Sequence, residues 1–320
     1  MPFGLIHYFC FKLHFMLRGA YSNINYSGKL LLLISLVFSF FLISALLGIL
    51  VLVPFYGPGV LSLIASPNYN DPSVVNSLKV IQVINMAGGL LLPALVYLWL
   101  CTPKNEIIAG FSKTVSSFAI LLSVFVIIIS QPAIGWTSEL NSYLALPHWL
   151  SSIEDWMKSS EKQGELITQA FLSTTSANGL LVNIFMIALL PAFAEELLFR
   201  GALAGLLKDW TRSIHVAVFL SSFIFAAIHL QFYGFLPRFL LGMALGYLYF
   251  WSGSLWLPMA AHFANNFISV MVEFLFRKGF VHTNAENFGL NNAAWLTAIS
   301  IAGVAGVLFY IRKLSIAKRV

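Results

Sequence analysis

Pro191-Ala-Phe-Ala-Glu195-Glu196-Leu-Leu-Phe-Arg200-Gly201 lies inside an apolar run from 180 to 210 and sets two adjacent carboxylates and a guanidinium into what otherwise reads as a membrane helix. On insertion scales each ionised side chain at a helix centre costs about 2.5–3.5 kcal/mol, so three cost roughly 8–10, while a Leu or Ile returns only about 0.3–0.6. At roughly 100° per residue, Glu196 and Arg200 share a helix face four residues apart, where an ion pair offsets part of that cost, and Glu195 points elsewhere. One carboxylate is held and its neighbour is left over. A Glu/Arg pair alone reads equally well as a structural ion pair that fixes helix packing; the second glutamate favours chemistry.

Outside this run charge is scarce. Of 320 residues 59% are hydrophobic and 9% charged, against about 25% charged in a soluble domain. That excludes a soluble core and makes the chain an all-α polytopic membrane protein. Apolar stretches predict about eight transmembrane helices enclosing an intramembrane cavity, at 30–55, 79–100, 115–131, 180–210, 213–230, 236–251, 255–276 and 293–310. The first is too long for a signal-peptide core and lacks a cleavage pattern, so it is read as retained. The net charge of +6 comes from basic residues scattered between spans and at the C-terminus. That distribution sets topology and argues against a nucleic-acid partner. Eight spans put both termini in the cytoplasm, with a bacterial plasma (inner) membrane as the expected location. Cys10 and Cys101 are too far apart in sequence to suggest a disulfide framework or a Cys-rich metal site.

Four segments follow. Residues 1–29 read as a cytoplasmic interfacial segment, 30–179 as three transmembrane helices plus an amphipathic extracytoplasmic loop, 180–276 as the catalytic core, and 277–320 as the last transmembrane helix with a basic cytoplasmic tail. Within the polar stretch 132–177, Leu146, Trp149, Leu150, Ile153, Trp156 and Met157 recur at three- and four-residue steps. This predicts an interfacial amphipathic helix, with a lid over a substrate entrance as the second reading. Gly201 with Gly205, and Gly242 with Gly246, are small-residue spacings that let helices approach closely.

The spans at 213–230 and 255–276 carry Phe225 with His229 and His262 with Asn266, each pair four apart and so on one face. Alone, His229 reads as a packing histidine and Asn266 as an interhelical hydrogen bond. Converging with Glu195 on a water-accessible cavity, they supply a base for water, a partner for its proton and donors for a developing oxyanion. Those are the parts of a hydrolase.

Glu195-Glu196-x-x-x-Arg200, Phe225-x-x-x-His229 and His262-x-x-x-Asn266, in that order on successive helices, resemble the three motifs of the CAAX-protease and bacteriocin-processing (CPBP or Abi) family of intramembrane proteases. The likeness covers about 180–272 and includes the lysostaphin-resistance-protein-A-like members. It implies peptide-bond hydrolysis in or near the bilayer. Carried over, Glu195 with His229 activates water, His262 and Asn266 stabilise the oxyanion, Arg200 holds Glu196, and Phe225 supports the site. The implied partners are the lipid bilayer and a membrane-associated protein or peptide. A prenylated CAAX peptide, a bacteriocin leader and a membrane-anchored regulator all stay open as substrates. Members of the family are also described as metalloproteases, and Glu195, His229 and His262 could supply a zinc set. Without a compact H-E-x-x-H the ligands would come from three helices, so metal-independent catalysis is preferred. The competing class is a non-catalytic immunity or scaffold protein, or a proton-coupled transporter. A proton relay strings titratable groups along a path, whereas this cluster includes a neutral Asn suited to an oxyanion.

The predicted topology is open to test with Ser159→Cys in a background where Cys10 and Cys101 are serine. An impermeant thiol reagent should label it in intact cells; labelling only after lysis would reverse the orientation.

Overall fold

The computed structural model describes residues 17–317 except 105, 107–109, 112–114, 144–145, 286 and 291–293. Most of the expected interfacial segment 1–29, with Cys10, and the end of the basic tail lie outside the described residues. No strand occurs among those described. The longer helices are α1 Tyr26–Tyr56, α2 Pro72–Cys101, α3 Ser117–Ser142, α4 Ser151–Leu172, α5 Ala177–Thr211, α6 Ile214–Ala227, α7 Phe235–Ser252, α8 Trp256–Arg277 and α9 Ala294–Ala317, with a short helix, Val60–Ala65, after α1.

Their starts are written locally. Asn25, Asp71, Ser116, Ser176 and Ser213 each accept a backbone N–H of the first turn they precede, and Pro72 occupies a first-turn position where its missing donor costs nothing. Six described helices are long and apolar enough to cross a membrane: α1, α2, α3, α5, α8 and α9. The runs expected at 213–230 and 236–251 form α6, of 14 residues, and α7, of 18, which fall outside that set. The count of eight spans is therefore not reproduced by length and composition. α6 packs against α5 and α7.

Prolines shape the spans without ending them. The expected stop at 132 is overturned, because α3 runs through Pro132 to Ser142. The rung next to the proline is bridged from a neighbouring helix. Ser300 Oγ on α9 accepts from Ala133 N at 3.3 Å and donates to Ile129 O at 2.6 Å, bridging the backbone groups on either side of the proline. In α2 and α5 the chain widens to i→i+5 turns at Ala87–Leu91 and Ile184–Leu189, each ending two residues before a proline, Pro93 and Pro191. Widening relieves the clash between a proline ring and the preceding turn. α5 widens again at Leu197–Ala204, around Arg200.

Two apolar clusters flank the centre. One joins α2, α5 and α6 through residues such as Leu98, Leu198, Phe199 and Ala217; the other joins α3, α7, α8 and α9 through Val126, Leu245, Leu257 and Ile311. Large apolar side chains such as Phe38, Leu46, Phe219 and Phe223 point outward, as lipid-facing residues do. Trp149, in the turn just before the amphipathic helix α4, is 80% exposed and Trp156 within it half exposed, while its end, Ala170 to Leu172, is buried. Asn183 secures that end, donating to Phe171 O at 2.8 Å and accepting from Lys79 Nζ at 2.8 Å. Lys79, expected at a membrane edge, is a buried tie between α2 and α5.

Small residues matter where α7 meets α6. A Cβ on Gly242 would lie 3.0 Å from Ser222 Cβ and 3.4 Å from a Phe225 ring carbon, and one on Gly246 would lie 3.1 Å from Val218. The Gly201 and Gly205 pair is used at one end only: Gly201 faces Leu98 at 3.4 Å, whereas Gly205 meets nothing nearer than its own helix's Arg200 carbonyl at 4.0 Å. Thermal melts of detergent-solubilised variants should separate the two. Gly242→Ala is expected to destabilise by about 1–3 kcal/mol through overpacking, while Gly205→Ala, in open helix, should be neutral or stabilise by about 0.4–1 kcal/mol.

Candidate active site

The four-residue spacing of Glu196 and Arg200 closes as expected: Arg200 Nη1 donates to Glu196 Oε1 at 2.8 Å, and both residues are 0% exposed. The pair does more than neutralise itself. His262 Nδ1, from α8, donates to the same oxygen at 2.7 Å, and Arg200 Nη2 donates to Gly242 O of α7 at 3.0 Å. One carboxylate oxygen thereby ties α5 to α8 while the guanidinium ties α5 to α7. Glu196 Oε2 and Arg200 Nε are buried without a hydrogen-bond partner.

Because a carboxylate only accepts, His262 Nδ1 is the donor to Glu196, which leaves Nε2 to accept when the ring is neutral and to donate when it is an imidazolium. That nitrogen faces Glu195 Oε2 at 3.7 Å. Glu195 is 8% exposed and makes no shorter contact with a charged partner among the described residues. The left-over glutamate thus stands against the open side of the held histidine.

Phe225 sits at the hub. Arg200 lies over its ring at 4.8 Å, and Phe199, His229 and His262 meet it edge-on with centroids at 5.2, 5.0 and 6.1 Å. His229 donates Nδ1–H to the Phe225 carbonyl at 2.7 Å, which leaves its Nε2 as a second bare acceptor. It is half buried, and of the two histidines only His262 comes within 4.0 Å of the Glu195 carboxylate.

Asn266 is placed by a proline. Pro191 has no N–H for the carbonyl four residues before it, and Asn266 Nδ2 donates to that carbonyl, Ile187 O, at 3.0 Å. Its Oδ1 accepts from Asn265, and one amide hydrogen is left over for a ligand. Glu195, His229 and His262 are not gathered as a zinc set: no group of three His, Cys, Asp or Glu among the described residues is placed to hold a metal ion, although both histidines keep Nε2 open.

The edge of the site is built by residues that motif reading passed over. Asn141 donates to Phe232 O at 2.7 Å and accepts from Leu236 N at 2.7 Å, clamping the turn between α6 and α7. From α4, Glu161 accepts from Tyr233 N at 3.2 Å and Trp156 packs on Phe232 at 5.3 Å. Burial raises the Glu161 carboxyl above the ordinary carboxylate range, opposed by that N–H. Arg238 of α7 donates to Gln231 Oε1 at 2.6 Å and lies within electrostatic reach of Glu195. Asn141, Glu161 and Gln231 carry no sequence signal, since each works through a loop backbone or a partner distant in sequence. Arg238 does carry one, as a lone cation in an expected span.

A helical membrane protein with two carboxylates, two imidazoles and a carboxamide gathered inside its bundle defines the class. Residues 177–268 match the family model described as Rce1-like, type II CAAX prenyl endopeptidase. The resemblance drawn from the three motifs is borne out over that stretch. The chain is also 38% identical over 85 residues to the uncharacterized protein YpbD of Bacillus subtilis (strain 168), across 25% of this chain and 40% of YpbD. It thus spans well under half of that relative's length. No solved structure matches.

The two glutamates should fail differently. Glu196→Gln leaves Arg200 without its counter-charge and weakens the acceptor shared with His262, and breaking a buried pair costs about 3–5 kcal/mol. Its melting temperature should fall, and Glu196→Gln combined with Arg200→Met should recover much of the loss. Glu195→Gln should melt near wild type. Early melting of Glu195→Gln beside a normal Glu196→Gln would reverse the roles.

Proposed function

We propose that the chain is an intramembrane endopeptidase that hydrolyses a peptide bond near the C-terminus of a membrane-associated, CAAX-type protein or peptide. The observation that carries this reading is Glu195, a second carboxylate left out of the ion pair and facing an imidazole whose other nitrogen is fixed. The Rce1-like match over 177–268 supports it.

In this reading Glu195 takes a proton from water as the oxygen attacks the scissile carbonyl carbon. The carbonyl π electrons move onto oxygen, and Asn266 contributes its remaining amide hydrogen to that oxyanion. His262 donates there only as the imidazolium, since its Nδ1–H is committed to Glu196, and the charges then balance: Glu195 and Glu196 negative, Arg200 and His262 positive. Collapse of the intermediate breaks the C–N bond, and the proton held by Glu195 passes to the leaving amine. His229 offers Nε2 as a further acceptor for the water. Glu196, Arg200 and Phe225 position these groups, and no step is routed through a metal. The membrane is expected to be the bacterial inner membrane, with both termini cytoplasmic.

Comparative membrane proteomics of wild type against Glu195→Gln tests the function. A membrane protein should lose its processed C-terminus in the variant and accumulate full length. If the variant protein is present at wild-type abundance and no terminus differs, the chain works without proteolysis, as a scaffold or transporter.

A further inference from the structure

Arg238 has a geometry that the hydrolytic roles leave unused. It is half buried on α7, one helical turn before Gly242, whose carbonyl receives Arg200. Its guanidinium is mounted from one side: Nη2 on Gln231 Oε1 at 2.6 Å, and Nη1 on the carbonyls of Gln231 and Gly234, both at 3.3 Å. All three acceptors are neutral. Among the described residues no carboxylate forms an ion pair with it, although Glu195 and Glu161 both lie within electrostatic reach.

The mount itself is braced. Asn141 holds the turn from α3, and Glu161 holds it from α4 through Tyr233 N. Gly164 of α4 passes so close that a Cβ there would lie 2.7 Å from Gln231 Nε2. A cation removed from bulk water without an anion is costly, and a planar guanidinium held by some of its donors presents the rest to a carboxylate in a fixed orientation.

The reaction proposed above provides such an anion, and the inference rests on that reading. A CAAX-type substrate ends a few residues beyond its modified cysteine, so its α-carboxylate lies close to the scissile bond. Three extended residues reach about 10 Å. We propose that Arg238, mounted by Gln231, binds the free C-terminal carboxylate of the substrate and so registers the peptide for cleavage a short, fixed distance from its end.

The test uses full-length protein in nanodiscs of phosphatidylcholine, which offers no net anionic headgroup. The probes are two farnesylated peptides ending Cys-Val-Leu-Ser, identical except for a free carboxylate or a C-terminal amide. Wild type should prefer the acid in kcat/KM by at least about tenfold, mainly through KM, as expected for a hydrogen-bonded charge. Arg238→Gln should bring the ratio near one, Arg238→Lys should keep part of it, and Gln231→Ala should lower it by loosening the mount. Equal cleavage of acid and amide by wild type overturns the proposal, as does an Arg238→Gln variant that keeps the wild-type ratio. If Arg238→Gln does not fold, an unchanged ratio in a normally melting Gln231→Ala overturns it. A preference that appears only when phosphatidylglycerol is added makes Arg238 a lipid-headgroup contact and also overturns it. Failure of wild type to cleave either peptide refutes the CAAX peptidase reading itself, an outcome distinct from cleavage without discrimination.

Discussion

A single carboxylate oxygen, Glu196 Oε1, receives both Arg200 from its own helix and His262 from α8. Burying charge in a bilayer-spanning bundle is unfavourable unless it is matched, and here the match is made across helices, so the fold and the site cannot be separated. Arg200 extends the tie to α7 through Gly242 O, a carbonyl reachable because glycines line that face of α7. The orientation of His262 follows from the same oxygen, which holds Nδ1 and turns Nε2 toward Glu195.

Prolines serve the site in a related way. In water a freed backbone carbonyl is solvated, but inside a membrane bundle it must find a protein partner. Ile187 O, opposite Pro191, takes Asn266, which thereby becomes a fixed element of the cluster rather than a generic interhelical bond. Beside Pro132, Ser300 bridges the adjoining rung, Ala133 N and Ile129 O, and joins α9 to α3. One covalent peculiarity thus positions a candidate oxyanion donor in one helix and only joins two helices in another.

The amphipathic helix α4 is tied at two places to different parts of the structure. Its buried end is fixed through Asn183 and Lys79, while its middle touches the turn after α6 through Glu161, Trp156 and Gly164. The turn carries Gln231, and Gln231 carries Arg238. The amphipathic helix α4 and the Arg238 guanidinium are thereby joined through one turn.

The sequence by itself determined the membrane class, most helix starts, the Glu196–Arg200 pair and the identity of the polar cluster. Each of these depends on composition or on residues within one or two helical turns, where periodicity and capping chemistry act locally. It did not determine that α3 continues past Pro132, where the adjoining rung is bridged by Ser300, 168 positions on. Nor did spacing along single helices show that His262, rather than His229, stands against Glu195, or that Arg238 is mounted on a turn clamped by Asn141 and Glu161. Those facts were decided by tertiary structure alone, because they rest on how helices rotate and approach one another, and a one-dimensional pattern carries that only where two partners share a helix face.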